Sequence, residues 1–188
     1  MIRPLVADAR DLAERLLTDL PERWQHTVGV AERAGQISAT VPAGEADVLV
    51  AAAWLHDIGY AEALHDTGFH PIDGARHLRD LAWPLRIAGL VAHHSGAICV
   101  AHVRGLGAAL AEFPQESTPV SDGLTYADQT VGPYGRSMDF EERMADMLRR
   151  HGPGSPNAAV HSRRAPMLRA AVQRVVSRLA IPAGVRVA

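Results

Sequence analysis

Apolar positions recur along this chain at three- and four-residue intervals. No convincing stretch shows the period of two that marks a half-buried strand. Residues 5–20 read as a first amphipathic helix, stopped by Pro21. A second helix opens at Pro21–Glu22, carries Trp24, His26, Val30, Ala34 and Ile37, and ends before Pro42. The third, over residues 44–57, differs in kind. Its core, ADVLVAAAWL, is apolar on nearly every side, the pattern of a helix buried all round. A loop containing Gly59 and Gly68 follows, then a fourth helix from His70–Pro71 to about Leu81, with proline in a first-turn position. Pro84 opens a fifth that runs to His93–His94. Residues 95–119, broken by Gly105, Gly107 and Pro114, show no clear period. Beyond them lie a helix over 120–128, the amphipathic stretch MDFEERMADMLRRH, a GPGSPN linker and an arginine-studded helix over 158–179. The expected fold is all-α: a compact single-domain bundle of about seven to nine helices across 1–188, with residues 139–188 packing on the rest.

The third helix poses a problem. A segment that excludes every charge along its middle ends in an adjacent His56–Asp57 and breaks at Gly59. Burying ionisable groups is costly unless something compensates them. On a regular helix neighbouring side chains diverge by about 100°, but at a fraying end followed by glycine both could reach one cavity. His26, His70, His93–His94 and Asp128 also fall on or beside helix ends, and seven of the ten histidines lie between His56 and His102. Imidazoles mixed with carboxylates suit a divalent transition metal, and a helical bundle can aim such groups at one point. His65–Asp66 is a second His–Asp dipeptide, but it sits in a loop with no buried helix before it and is expected to be peripheral. His77, His102, His151 and His161 carry no motif and are expected on the surface or in packing. Arg163, Arg164, Arg169, Arg174 and Arg178 read as a solvated face or as partners for acids such as Glu141 and Glu142. Trp24, Trp54 and Trp83 are expected in the core.

Composition narrows the chemistry. A net charge of −2 argues against general electrostatic binding to nucleic acid or to an anionic membrane. No apolar run reaches the length of a membrane span, and the N-terminal stretch lacks a signal-peptide pattern, so a cytoplasmic protein is expected. The single cysteine, Cys99, rules out an internal disulfide and a cysteine-rich zinc site. All 19 basic residues are arginine. The absence of lysine removes Walker-type phosphate binding, Schiff-base chemistry and a lysine general base together. Any phosphate must be held by arginine, histidine, backbone or metal.

The segments RWQHTVGVAERA, AAAWLHDIGY and LTYADQTVG resemble, in that order, the H…HD…D signature of the HD-domain superfamily of metal-dependent phosphohydrolases. HPIDGARHL and VAHHSGA are similar to the extra histidine motifs of its members with two-metal sites. The resemblance spans residues 22–135. It implies that His26, His56, Asp57 and Asp128 hold a principal ion, and that His70 and His94 bind a second one bridged by Asp57. It also implies catalytic roles for Asp57, His70, His94 and Arg23, with Arg23 and His93 meeting the substrate. The implied cofactor is one or two divalent transition ions, iron, manganese, cobalt or zinc rather than magnesium. The implied activity is hydrolysis of a phosphate ester or anhydride of a nucleotide or related small phosphorylated metabolite by metal-activated water. Two alternatives stay open: a di-iron oxygenase or lyase on the same scaffold, and a non-catalytic nucleotide-binding module. The sequence allows a homodimer without requiring one.

Overall fold

The computed structural model describes residues 5–181. Among these residues the chain is helical throughout, its only β pairing being an isolated bridge between Val131 and Ser137. The helices are α1 Leu5–Leu17, α2 Pro21–Gln36, α3 Ala46–Leu55, α4 His70–Asp80, α5 Leu85–His93, α6 Ala97–Val103, α7 Gly107–Leu110, α8 Pro119–Gln129, α9 Phe140–His151, α10 Pro156–Ala159 and α11 His161–Leu179. None is long and apolar enough to cross a membrane.

α3 is the axis of the bundle. Leu49, Ala51, Ala52, Ala53 and Leu55 are all fully buried. α1, α2, α5 and α8 pack around it, and its run of alanines lets their backbones approach closely. α1 contributes Ala9, Leu12, Ala13 and Leu17, a stripe at helical spacing. Trp24 and Trp54 stack with ring centroids 5.7 Å apart; with Trp83 they are partly buried against this core. α4 pairs with α5, and α11 lies along α8. A second apolar cluster, including Phe140, Met144, Met147, Leu168 and Val172, joins α9 to α11. Arg174 and Arg178 grip the Asp122 carboxylate from α11, while Arg169 pairs with Glu141.

Several boundaries differ from the sequence expectation for local reasons. α1 stops at Leu17, because Leu20 precedes a proline and leaves the helical region (φ −119°, ψ 75°). The unreadable stretch 95–119 holds two short helices, α6 and α7. Within GPGSPN, Ser155 accepts a hydrogen bond from the Ala158 amide and caps the single turn α10. Val160 (φ −101°, ψ 0°) then separates that turn from α11, which begins at His161 and not at residue 158. α8 starts as its sequence dictates. Thr118 and Ser121 form a reciprocal capping box ahead of Pro119.

One close approach orients the site. A Cβ at Gly59 would lie 2.0 Å from the His70 carbonyl oxygen and 2.6 Å from the Gly74 nitrogen. The turn after α3 and the start of α4 therefore touch backbone to backbone. Asp73 steadies the preceding loop by accepting from the Thr67 amide at 2.8 Å. Gly59→Ala is expected to cost about 1–3 kcal/mol or more through overpacking. Gly35→Ala, on the exposed face of α2 with nothing near its Cβ, should be neutral or stabilise by about 0.5–1 kcal/mol. Urea unfolding of the two variants checks the contrast, and equal effects would contradict it.

Candidate metal centre

The His–Asp problem of α3 is resolved by where that helix ends. His56 closes it with dihedrals still helical (φ −59°, ψ −33°), and Asp57 departs (φ −108°, ψ 6°) into the short turn Ile58–Tyr60. His56 Nδ1 lies 2.7 Å from the Ala53 carbonyl oxygen. His94, first residue after α5, repeats the device: its Nδ1 lies 2.6 Å from Val91 O. His26, in the middle of α2, reaches Gly132 O with Nδ1 at 3.0 Å. A carbonyl only accepts, so each Nδ1 carries the proton and donates. In the neutral ring Nε2 is then a bare lone pair.

Those lone pairs face carboxylates, which also only accept. His26 Nε2 stands 3.1 Å from Asp128 Oδ1 and 3.9 Å from Asp57 Oδ2. His56 Nε2 stands 3.5 Å from Asp57 Oδ2 and 4.0 Å from Asp128 Oδ1, fully buried and without a hydrogen-bond partner. On the other side of Asp57, Oδ1 faces His70 Nε2 at 3.3 Å and His94 Nε2 at 3.9 Å. The two imidazole nitrogens are themselves 3.3 Å apart. Two triads result, His26–His56–Asp128 and Asp57–His70–His94, each with ligand atoms close enough to share one ion. The Asp57 carboxylate lies between them, one oxygen toward each. Acceptors crowded around an orphaned, buried Nε2 are what a cation would satisfy, so the residues fit a divalent metal.

Further groups hold the acids in place. Ser95 donates from Oγ to Asp128 Oδ2, and Gln129 Nε2 donates to the same oxygen at 2.7 Å. Arg143, buried on α9, donates from Nε to Val131 O at 2.9 Å and lies 3.9 Å from Asp128 Oδ1. Arg23 donates to Asp57 Oδ2 at 2.9 Å, with its guanidinium 4.0 Å from the centroid of the Tyr60 ring. Burial opposes the Arg23 charge, but Asp57 outweighs it and holds the pKa above its ordinary value. Burial raises the carboxyls of Asp57 and Asp128, yet neighbouring imidazoles and arginines dominate and hold both well below the usual carboxylate range. Burial pushes His56 and His94 down and His70 to about 4, so these rings stay neutral at pH 7. Burial and the Asp57 charge push Tyr60 up to about 12.

A cavity of about 550 Å³ opens above the centre. A family model of the HD domain matches residues 23–152. The chain belongs to the HD-domain family. No curated protein and no solved structure matches it. Of the metal-ligand candidates of this HD domain, Asp57, His70, His94 and Asp128 line the cavity, with Arg23 in its wall, while His26 and His56 lie buried behind them against Asp128 and Asp57. His93 does not join them. Its Nε2 donates to the Phe113 carbonyl oxygen at 3.0 Å, and the ring lines a separate cleft with Gln115 and Ser117. The helix break at His94 explains this: residues 93 and 94 diverge, and only one faces inward. His65 lines the cavity outside both ligand groups, while Asp66 pairs with Arg76. His151 and Arg164, expected outside the site, also line the cavity. Arg143 had a legible signal, a lone arginine on the apolar stripe Phe140–Met144–Met147. Ser95 and Gln129 adjoin motif residues, but nothing in their spacing marks them.

The neutral, buried histidines give the metal-free protein an acid sensitivity. An unfolded histidine binds a proton below about pH 6.5, whereas folded His70 does so only below about 4. Between those values the unfolded state holds more protons, so stability rises with pH across the window and falls on acidification. The slope is about 1.4 kcal/mol per pH unit for each proton taken up. Aspartate protonation adds its loss only below about pH 4. Urea unfolding of chelator-treated protein should therefore give lower stability at pH 5 than at pH 7, and a flat profile would contradict the neutral assignment.

Proposed function

We propose that this HD domain is a metal-dependent phosphohydrolase that cleaves a phosphate ester or anhydride of a nucleotide or related small phosphorylated metabolite. The observation that carries this reading is the Asp57 carboxylate set between two imidazole groups, on the floor of an open cavity with a cation, Arg23, at its edge.

In this reading His26, His56 and Asp128 would hold one ion and His70 and His94 a second, with Asp57, which lies between the two groups, able to serve both. Imidazole-rich ligand sets favour iron, manganese, cobalt or zinc over magnesium. Such ions lower the pKa of water they hold, and a pair stabilises both the attacking and the leaving oxygen of a displacement. The chain supplies the rest. Backbone carbonyls fix the tautomers of His26, His56 and His94, so that each presents Nε2 without reorganisation. Arg23 stays charged and is held by Tyr60, within reach of the cavity. It neutralises charge that builds up on phosphoryl oxygens.

Saturation with manganese or iron should give two ions per chain by elemental analysis. His70→Ala combined with His94→Ala should leave about one, by the same two-ion reasoning. A single ion in the unaltered protein would overturn the two-ion assignment. Phosphate release should appear in a screen of nucleotides and phosphodiesters against the metal-loaded protein. Arg23→Gln should then lower kcat/KM by about ten- to a hundredfold with the ion count unchanged. Absence of turnover across the screen at full metal occupancy would count against a phosphohydrolase.

A further inference from the structure

Five arginines line the cavity against two aspartates. Some are matched by acids. Arg23 faces Asp57, Arg143 lies against Asp128, and Arg150 pairs with Glu22 and Asp146. Arg164 is different. Its Nε donates to the Ser95 carbonyl oxygen at 2.7 Å and its Nη1 to Asn157 Oδ1 at 3.1 Å. Both acceptors are neutral, and among the described residues no ion pair reaches its guanidinium. A half-buried cation without an anion is costly, and its charge persists because arginine does not deprotonate in proteins. Burial accordingly pushes its pKa below the ordinary value.

The seat for Arg164 is built, not incidental. Gly96 (φ +68°) leaves the space: a Cβ there would lie 3.1 Å from Arg164 Cγ. Ser95 adopts a left-handed conformation (φ 49°), rare for a residue with a side chain. In that conformation Ser95 turns its carbonyl to Arg164 while its hydroxyl donates to Asp128. One strained residue thus ties Arg164 to a carboxylate of the metal centre. Arg104 also lines the cavity without an acid partner among the described residues. It lies 5.2 Å over the Phe69 ring and donates to the Gly68 carbonyl at 2.9 Å. Arg164 stands on α11, beyond the 23–152 match to the HD domain.

We propose that Arg164, backed by Arg104, forms a second anion subsite in the cavity, and that the substrate is an oligophosphate with at least two phosphate groups. One phosphate sits over the metal centre and Arg23; a second reaches Arg164. The identity of the compound as a substrate rests on the phosphohydrolase reading, but the subsite does not.

Tripolyphosphate binding to metal-free protein, measured by calorimetry at low salt, tests the subsite. Arg164→Gln should weaken it by about tenfold or more, the loss of a charge-assisted contact. Arg163→Gln removes the same charge from the exposed neighbouring position and should stay within about threefold of the parent. Independently of any substitution, tripolyphosphate should slow amide exchange over residues 155–164 in the unaltered protein, and orthophosphate should do so less. Equal losses in the two variants, or no protection of that segment, would overturn the proposal. If Arg164→Gln does not fold, the exchange measurement decides alone. Arg164-dependent binding in a protein that hydrolyses nothing when metal-loaded would retain the subsite and discard the hydrolase. Hydrolysis with Arg164-independent binding would do the reverse.

Discussion

Three imidazole lone pairs and two carboxylates face one another in a space from which water is largely excluded, and every one of these atoms is an acceptor. That arrangement is unstable by itself. Burial favours the neutral form of His56, His70 and His94, so these rings do not supply the missing positive charge at pH 7. Arg23 and Arg143 supply part of it, one beside each aspartate. The acceptors gathered around the partnerless His56 Nε2 fit a divalent cation. The placement of His26, His56, His70 and His94 and the close contact of Gly59 with the start of α4 hold these acceptors together against their mutual repulsion.

The fold does so with helix ends. A helix leaves its last carbonyls without backbone partners. At α3 and α5 the histidine immediately after the helix donates to a carbonyl of the last turn. The contact satisfies an orphan group and at once selects the tautomer that aims Nε2 inward. The same local event therefore terminates the helix and prepares the ligand. The two helix ends divide their adjacent residues differently: Asp57 joins His56 at the centre, whereas His93, last residue of α5, turns to a separate cleft and leaves His94 at the centre.

Above the floor, charge runs the other way. Aspartates gather at the centre and arginines on the walls, and the wall arginines come from distant parts of the chain: α2, the end of α6, α9 and α11. The C-terminal helices are more than cover for the bundle. Their apolar stripe docks on α8 and α9, and Asp122 anchors α11 through two arginines. That docking delivers Arg164 to the cavity. A field of this sign, positive around a cation-binding floor, suits anions that carry several charges.

The linear sequence determined the helical class, the buried character of α3 and the histidines and acids of the centre. The reason is that 3.6-residue periodicity and helix-end chemistry are local properties, and that His56–Asp57 after an apolar run needs compensation wherever the chain goes. It could not decide between neighbours. Residues 93 and 94 are both histidines beside a glycine two or three positions on, and only the backbone break at 94–96 assigns one inward and one outward. Nor could it rank the arginines. Arg163 and Arg164 are adjacent and chemically identical; the rotation of α11 against α8 exposes the first and turns the second into the cavity. Which side chains meet across a hundred residues is set by packing between helices, and that is a property of the folded molecule alone.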